Sequence, residues 1–182
     1  MNTLCVILVL LLVLLIWRPG FAFRHQKSEF YADTLPAMDI RKHLNGPMVS
    51  EGIIFGPREQ VLSRFTADFH GEWDGNTGTL AESFLYATGA RQERKWFLTM
   101  GENGHFTATA DDIIGEGKGV QVGSTVRLTY RIKLGDAGGG HELDVIDWMY
   151  LMENGAILNK SEMRKFGVKV AELVASIRPK GT

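Results

Sequence analysis

From Val49 onward, apolar and polar residues alternate in short runs broken by glycine-rich turns. In RFTADFHGEW, Phe65, Ala67, Phe69, Gly71 and Trp73 fall on one side, and Arg64, Thr66, Asp68, His70 and Glu72 on the other. Trp96, Leu98 and Met100 share a face, as do Phe106, Ala108 and Ala110. Val126, Leu128, Tyr130 and Ile132 oppose Arg127, Thr129, Arg131 and Lys133. Successive side chains of a strand point to opposite faces, so each run predicts a strand with one buried and one wet side. Counted this way there are about nine strands. DGNTG at 74–78, GENG at 101–104 and GDAGGG at 135–140 are clear turns between them. No strand–helix–strand spacing occurs, which predicts an antiparallel meander. Closure into a barrel would remove its exposed edges. The expected fold is therefore all-β, an antiparallel barrel of about 8–10 strands with room inside for side chains or one small ligand. A two-sheet sandwich is the structural rival.

Ahead of the strands the pattern differs. Residues 4–17, LCVILVLLLVLLIW, form an unbroken apolar run. It is shorter than the roughly 20 residues that cross a bilayer comfortably, and has the length of a signal-peptide core. Gly20 and Ala22, either side of Phe21, offer small residues for cleavage before Phe23. The same run can also stay uncleaved as a transmembrane anchor, giving contact with a membrane through residues 4–17. No Lys or Arg precedes it, while Arg18, Arg24 and Lys27 follow, a bias that favours a cytoplasmic position for what comes after. The expected division is 1–22 as signal peptide or anchor, 23–48 as a linker, and 49–182 as the barrel. Within the linker, TLPAMDIRKHLN at 34–45 predicts a short helix ended by Asn45-Gly46-Pro47.

Charge and cysteine content narrow the function classes. Residues 1–27 hold three of the 20 basic residues and none of the 21 acids, so the remainder carries 17 against 21, formally −4. A mildly acidic domain with no basic stripe argues against nucleic acid as a partner. Cys5 is the sole cysteine, which excludes an intramolecular disulfide. GEGKG at 115–119 has Gly after its Lys and no helix pattern beyond, so it is not a phosphate-binding loop. His70 has Asp68 and Glu72 for same-face neighbours, but without a second nearby histidine it reads as part of a solvated face. No G-x-S-x-G elbow is present. No metal and no cofactor is implied, and the chain names no protein partner.

The candidate chemistry lies in DVIDWMYLMENGAILNKSEMRKFG, residues 144–167. Asn-Gly between alternating runs is a strong hairpin signal. A two-residue loop at Asn154-Gly155 would place Asp147 opposite Glu162, Trp148 opposite Ser161, and Tyr150 opposite Asn159. Lys160 and Arg164 would then flank a pair of opposed carboxylates. That cluster reads either as an exposed charge ladder or as the polar end of a cavity, where an acid pair holds a proton or Arg164 orients an anionic head group. On the other face, Trp148 and Tyr150 beside Asn159 suit either a greasy ligand or core packing.

The Gly71-Glu72-Trp73 triplet is similar to the G-x-W element of lipocalin-like, or calycin, barrels, whose tryptophan closes one barrel end against a basic side chain. This makes Trp73 a further candidate. Over about residues 38–178 the sequence also resembles the bacterial domain-of-unknown-function family 3833. The resemblance rests on LNGPM at 44–48, GIIFG at 52–56, RFTADFHGEWDGNTGTLAESFLY at 64–86, TATADDIIGEGKG at 107–119, IDWMYL at 146–151 and NKSEMRKFGVKVAE at 159–172. It implies a protein of the bacterial cell envelope, on the periplasmic side, with a lipocalin-like barrel. It brings no activity and no catalytic residue. The chain departs from the family's usual pattern in lacking a lipobox cysteine after the apolar run. The resulting expectation is a binding barrel for an acyl chain or other small amphiphile. The alternatives are an enzyme on a lipid or isoprenoid using Asp147 and Glu162 as acid and base, and a non-enzymatic envelope scaffold.

Overall fold

The computed structural model describes residues 3–16, 22–135 and 139–181. Ten antiparallel strands close on themselves in simple chain order. They are β1 (Gly46–Phe55), β2 (Val61–Asp74), β3 (Thr77–Tyr86), β4 (Arg91–Met100), β5 (His105–Thr109), β6 (Gly117–Val122), β7 (Thr125–Lys133), β8 (Glu142–Leu151), β9 (Ile157–Lys165) and β10 (Val168–Pro179). Pairing of β1 with β10, from Met48 opposite Pro179 to Phe55 opposite Glu172, seals the cylinder and leaves no open edge. The rival sandwich is thereby set aside. The period-two runs are the reason: Phe65, Ala67, Phe69 and Gly71 are buried while Arg64, Thr66, Asp68, His70 and Glu72 face water.

One end of the barrel is plugged. A single helical turn, α2 (Ile40–His43), is capped by the Asp39 carboxylate, which accepts from the Arg41 amide at 3.0 Å. It delivers Ile40 and Leu44, both almost fully buried, to the barrel floor. Trp73 Nε1 donates to the Leu44 carbonyl at 2.9 Å, and a Cβ at Gly71 would overlap that same carbonyl. The G-x-W triplet thus closes this end through backbone rather than through a basic side chain.

Residues 23–34 pack against the barrel wall. Their two 3₁₀ turns, Phe23–His25 and Ser28–Tyr31, lie over the outside of β6 to β9. Gln26 Nε2 donates to the Tyr150 hydroxyl at 2.6 Å, and the Thr34 hydroxyl bonds Ser124 at 2.9 Å. The apolar run forms α1 (Thr3–Ile16), 14 residues long. At about 1.5 Å per residue such a helix reaches roughly 21 Å, short of the roughly 30 Å hydrocarbon core. Among the described residues no helix is long and apolar enough to cross a membrane. The transmembrane reading, and with it membrane contact through residues 4–17, is corrected accordingly.

Candidate ligand cavity

The β8–β9 hairpin is where the structure departs most from the sequence reading. Its loop has three residues, Glu153-Asn154-Gly155, closed by the Met152 amide donating to Ala156 O at 2.8 Å and Gly155 N to Met152 O at 2.9 Å. Gly155 takes the left-handed conformation at φ 82°, while Asn154 supplies its side-chain oxygen to the Ala156 amide. This is the type I turn with a glycine bulge, the other common use of Asn-Gly. The pairs become Asp147–Ser161, Trp148–Lys160 and Met149–Asn159, one residue from the expected register. A shift of one turns every partner to the other face.

Asp147 and Asn159 consequently point into the barrel together, while Glu162 lies on its outside. Ser161 Oγ donates to Asp147 Oδ1 at 2.8 Å, and Asn159 Nδ2 donates to the same oxygen and to the Trp148 carbonyl. Trp148 is 0% exposed, but on the outer wall, where Tyr31 covers it at 5.5 Å between ring centroids and Tyr150 stacks beside it at 6.1 Å. Lys160 pairs with Glu172 at 3.1 Å and sits over the Phe23 ring. Glu162 is only 4% exposed and is held by Arg164, whose guanidinium also reaches the Gly167 carbonyl. The barrel wall separates Asp147 from Glu162, so these two carboxylates form no acid–base pair. Trp73 belongs to the plugged end, as described above.

The interior encloses a cavity of about 1360 Å³. Ile40 and Leu44 form its floor, and Leu62, Arg91, Gly135 and Gly140 line its mouth at the opposite end. Phe65, Phe84, Trp96, Leu128, Val145 and Met163 supply apolar wall. Set into that wall is a polar group that the sequence reading missed. Arg94 on β4 donates through Nε and Nη2 to Asp112 Oδ2 at 2.9 and 2.7 Å, and its Nη1 stands 3.8 Å from Glu82 Oε2 on β3. The guanidinium also lies 5.7 Å over the Trp96 ring.

Burial dominates the electrostatics here. It pushes the Glu82 carboxyl up to about 7, with Arg94 and a hydrogen bond from Trp96 pulling the other way and Asp147 and Asp112 pushing further up. Burial also raises Asp147, against the hydrogen bonds of Asn159 and Ser161 and the charge of Arg94. The Tyr130 phenol on β7 is raised by burial and then by Asp147, so it stays neutral and able to donate. A signal for part of this group was present in the sequence. Glu82 stands between Leu80 and Phe84, and Arg94 two residues before Trp96, each a charge in the buried phase of a strand. Asp112 comes from the β5–β6 connection, where no periodicity applies.

Residues 20–179 match the family described as "Protein of unknown function (DUF3833)". No curated protein matches the chain. In structure it is similar to the S-type phycobiliprotein lyase CPES from Guillardia theta, with a TM-score of 0.57 at 7% identity, over 86% of this chain and 99% of that one. Rv2717c from M. tuberculosis gives 0.57 at 13% identity, over 81% and 99%. A protein of unknown function from the DUF3598 family of Nostoc punctiforme gives 0.54 at 9%, over 80% of this chain and 50% of that one. At such identities the likeness shows the fold alone, a closed antiparallel β-barrel.

Proposed function

The chain belongs to the DUF3833 family of unknown function, and we propose that it is a binding protein whose barrel encloses an acyl chain or other small amphiphile. The observation that carries this reading is the cavity itself. At about 1360 Å³ it exceeds the roughly 300–1,000 Å³ of ordinary small-molecule pockets. It is apolar-walled, plugged at one end and open at the other. Burying a sixteen-carbon chain at about 0.8 kcal/mol per methylene gains roughly 12 kcal/mol, less at least about 4 for lost freedom, which leaves at most about 8, or micromolar affinity at best. A scaffold protein needs no such space, and the enzymatic alternative loses its acid pair to the register of β8 and β9.

The proposal includes a place in the bacterial cell envelope, on the periplasmic side. Support for it comes from the apolar run at 4–17 followed by Gly20 and Ala22. Mass spectrometry of organic extracts from gently purified protein tests the binding reading. Repeated recovery of one lipid class is expected. Clean extracts, together with no uptake of any added amphiphile, would remove it. Protease protection in spheroplasts tests the location, and a domain shielded with the cytosolic markers would overturn that part.

A further inference from the structure

The charged group in the cavity wall is short of positive charge. It brings three carboxylates, Glu82, Asp112 and Asp147, against one guanidinium. Arg94 is already committed: two of its nitrogens hold Asp112, a third faces Glu82, and its plane is covered by Trp96. An anionic head group would have to displace Asp112 to reach it. Among the described residues, the buried polar side-chain atoms of the cavity without a hydrogen bond are Glu82 Oε2, which has only the Arg94 guanidinium 3.8 Å away, Asp112 Oδ1 and Ser50 Oγ. Glu82 is 8% exposed and lines the cavity. Both hydrogen bonds to the Asp147 carboxylate fall on Oδ1. Two carboxylate oxygens and a hydroxyl without hydrogen bonds are costly inside an apolar barrel unless something with N–H or O–H groups meets them.

We propose that the cavity takes an amphiphile with a positively charged, donor-bearing head, of the primary amine class, seated against Glu82 and Asp147 with its chain along the apolar wall. This rests on the binding reading above and sharpens it. A protonated amine supplies three N–H donors and one positive charge to a group with formal charge −2 when its three acids are ionised beside Arg94, the form an ammonium itself favours. A carboxylate supplies neither and adds to the excess. An alcohol supplies one donor and no charge. The order amine, alcohol, carboxylate follows from this, whereas a barrel selecting fatty acids would reverse it.

Isothermal titration calorimetry of the full chain at pH 8 with decylamine, decanol and decanoate separates the possibilities. One charge-assisted contact at a buried carboxylate is expected to favour decylamine over decanol by at least about tenfold, with decanoate weakest. Decanoate binding as tightly as decylamine, or tighter, overturns the inference and leaves the binding barrel standing. Failure of all three, and of their sixteen-carbon counterparts, to bind removes the barrel reading and this one with it. Glu82→Gln and Asp147→Asn, each checked for folding by circular dichroism, should shrink the amine-to-alcohol ratio by about fivefold or more. A ratio that survives both changes would place the head elsewhere and overturn the site. Should either variant not fold, the comparison of the three ligands on the unaltered chain still decides.

Discussion

Asp147 faces Ser161 across the β8–β9 pair, and the Ser161 hydroxyl donates to its carboxylate at 2.8 Å inside the barrel. Removing that donor by Ser161→Ala leaves a buried carboxylate with less support. The expected loss is about 1.5–3 kcal/mol near neutral pH, the range for hydrogen bonds to charged groups. The bond favours the ionised acid, so its loss should raise Asp147 further and shrink in effect as the pH falls and the acid takes up its proton. Urea denaturation at pH 7.5 and pH 4 reads both parts, and equal losses at the two values would count against them.

Glu82 predicts a pH dependence of the opposite kind from an ordinary surface ion pair. Its carboxyl rises from 4.5 to about 7 on folding, chiefly through burial, with Arg94, Trp96, Asp147 and Asp112 acting on it from neighbouring elements. The folded state therefore binds the proton more tightly than the unfolded chain does. Stability from this group is complete below pH 4.5 and is lost as the pH rises through about 7. The interval amounts to about 3 kcal/mol as an upper figure. Asp147, raised in the same sense, adds to the slope. Glu82→Gln should flatten the decline between pH 5 and 8 in denaturation midpoints. An unchanged slope in the variant would assign the dependence to other groups.

At the plugged end, Gly71 and Trp73 should differ in how much they cost to change. Gly71→Ala drives a methyl into the Leu44 carbonyl, which is backbone and gives little, so about 2–4 kcal/mol is expected from the displaced α2. Trp73→Phe removes the indole donor to that carbonyl and leaves an aromatic ring in place, at about 1 kcal/mol. Thermal unfolding of the two variants gives the order directly. A smaller loss for Gly71→Ala would mean that the Leu44 backbone moves aside freely.

Much of the barrel is legible because period-two alternation is a local signal. Phe65, Phe69, Trp96, Leu98 and Leu128 are buried as the pattern requires. The register of a hairpin is not local in the same way. Asn154-Gly155 fits a two-residue loop with both residues left-handed and a three-residue loop with only glycine so, and the strand pattern around it is mixed enough to accept either. The structure takes the second, and Asp147 exchanges Glu162 for Ser161. Mixed faces arose for a physical reason: the outer wall of β8 is covered by Tyr31 and Gln26, so Trp148 is buried on the side that alternation assigns to water. The apolar run shows the reverse limit. Its composition suggested a membrane span, while its length as α1, 14 residues, decides against one.

The β9–β10 turn carries the last prediction. Lys165 pairs with Val168, leaving Phe166 and Gly167 as the two loop residues, at φ 50° and 78°. Both residues of this mirror-image turn are left-handed, which suits Asn-Gly and is unfavourable for an aromatic side chain. Phe166 is also 93% exposed, so packing does little to offset the strain. Phe166→Asn should therefore stabilise the protein by about 1 kcal/mol, with no change in the β9–β10 register. Phe166→Ala keeps the strain while removing the ring and should give almost none of that gain. Urea midpoints at constant slope distinguish the two variants. Equal stability for Phe166→Asn and the unaltered chain would show that the ring earns back its backbone cost through contacts with Lys165, whose ammonium lies 5.8 Å from it.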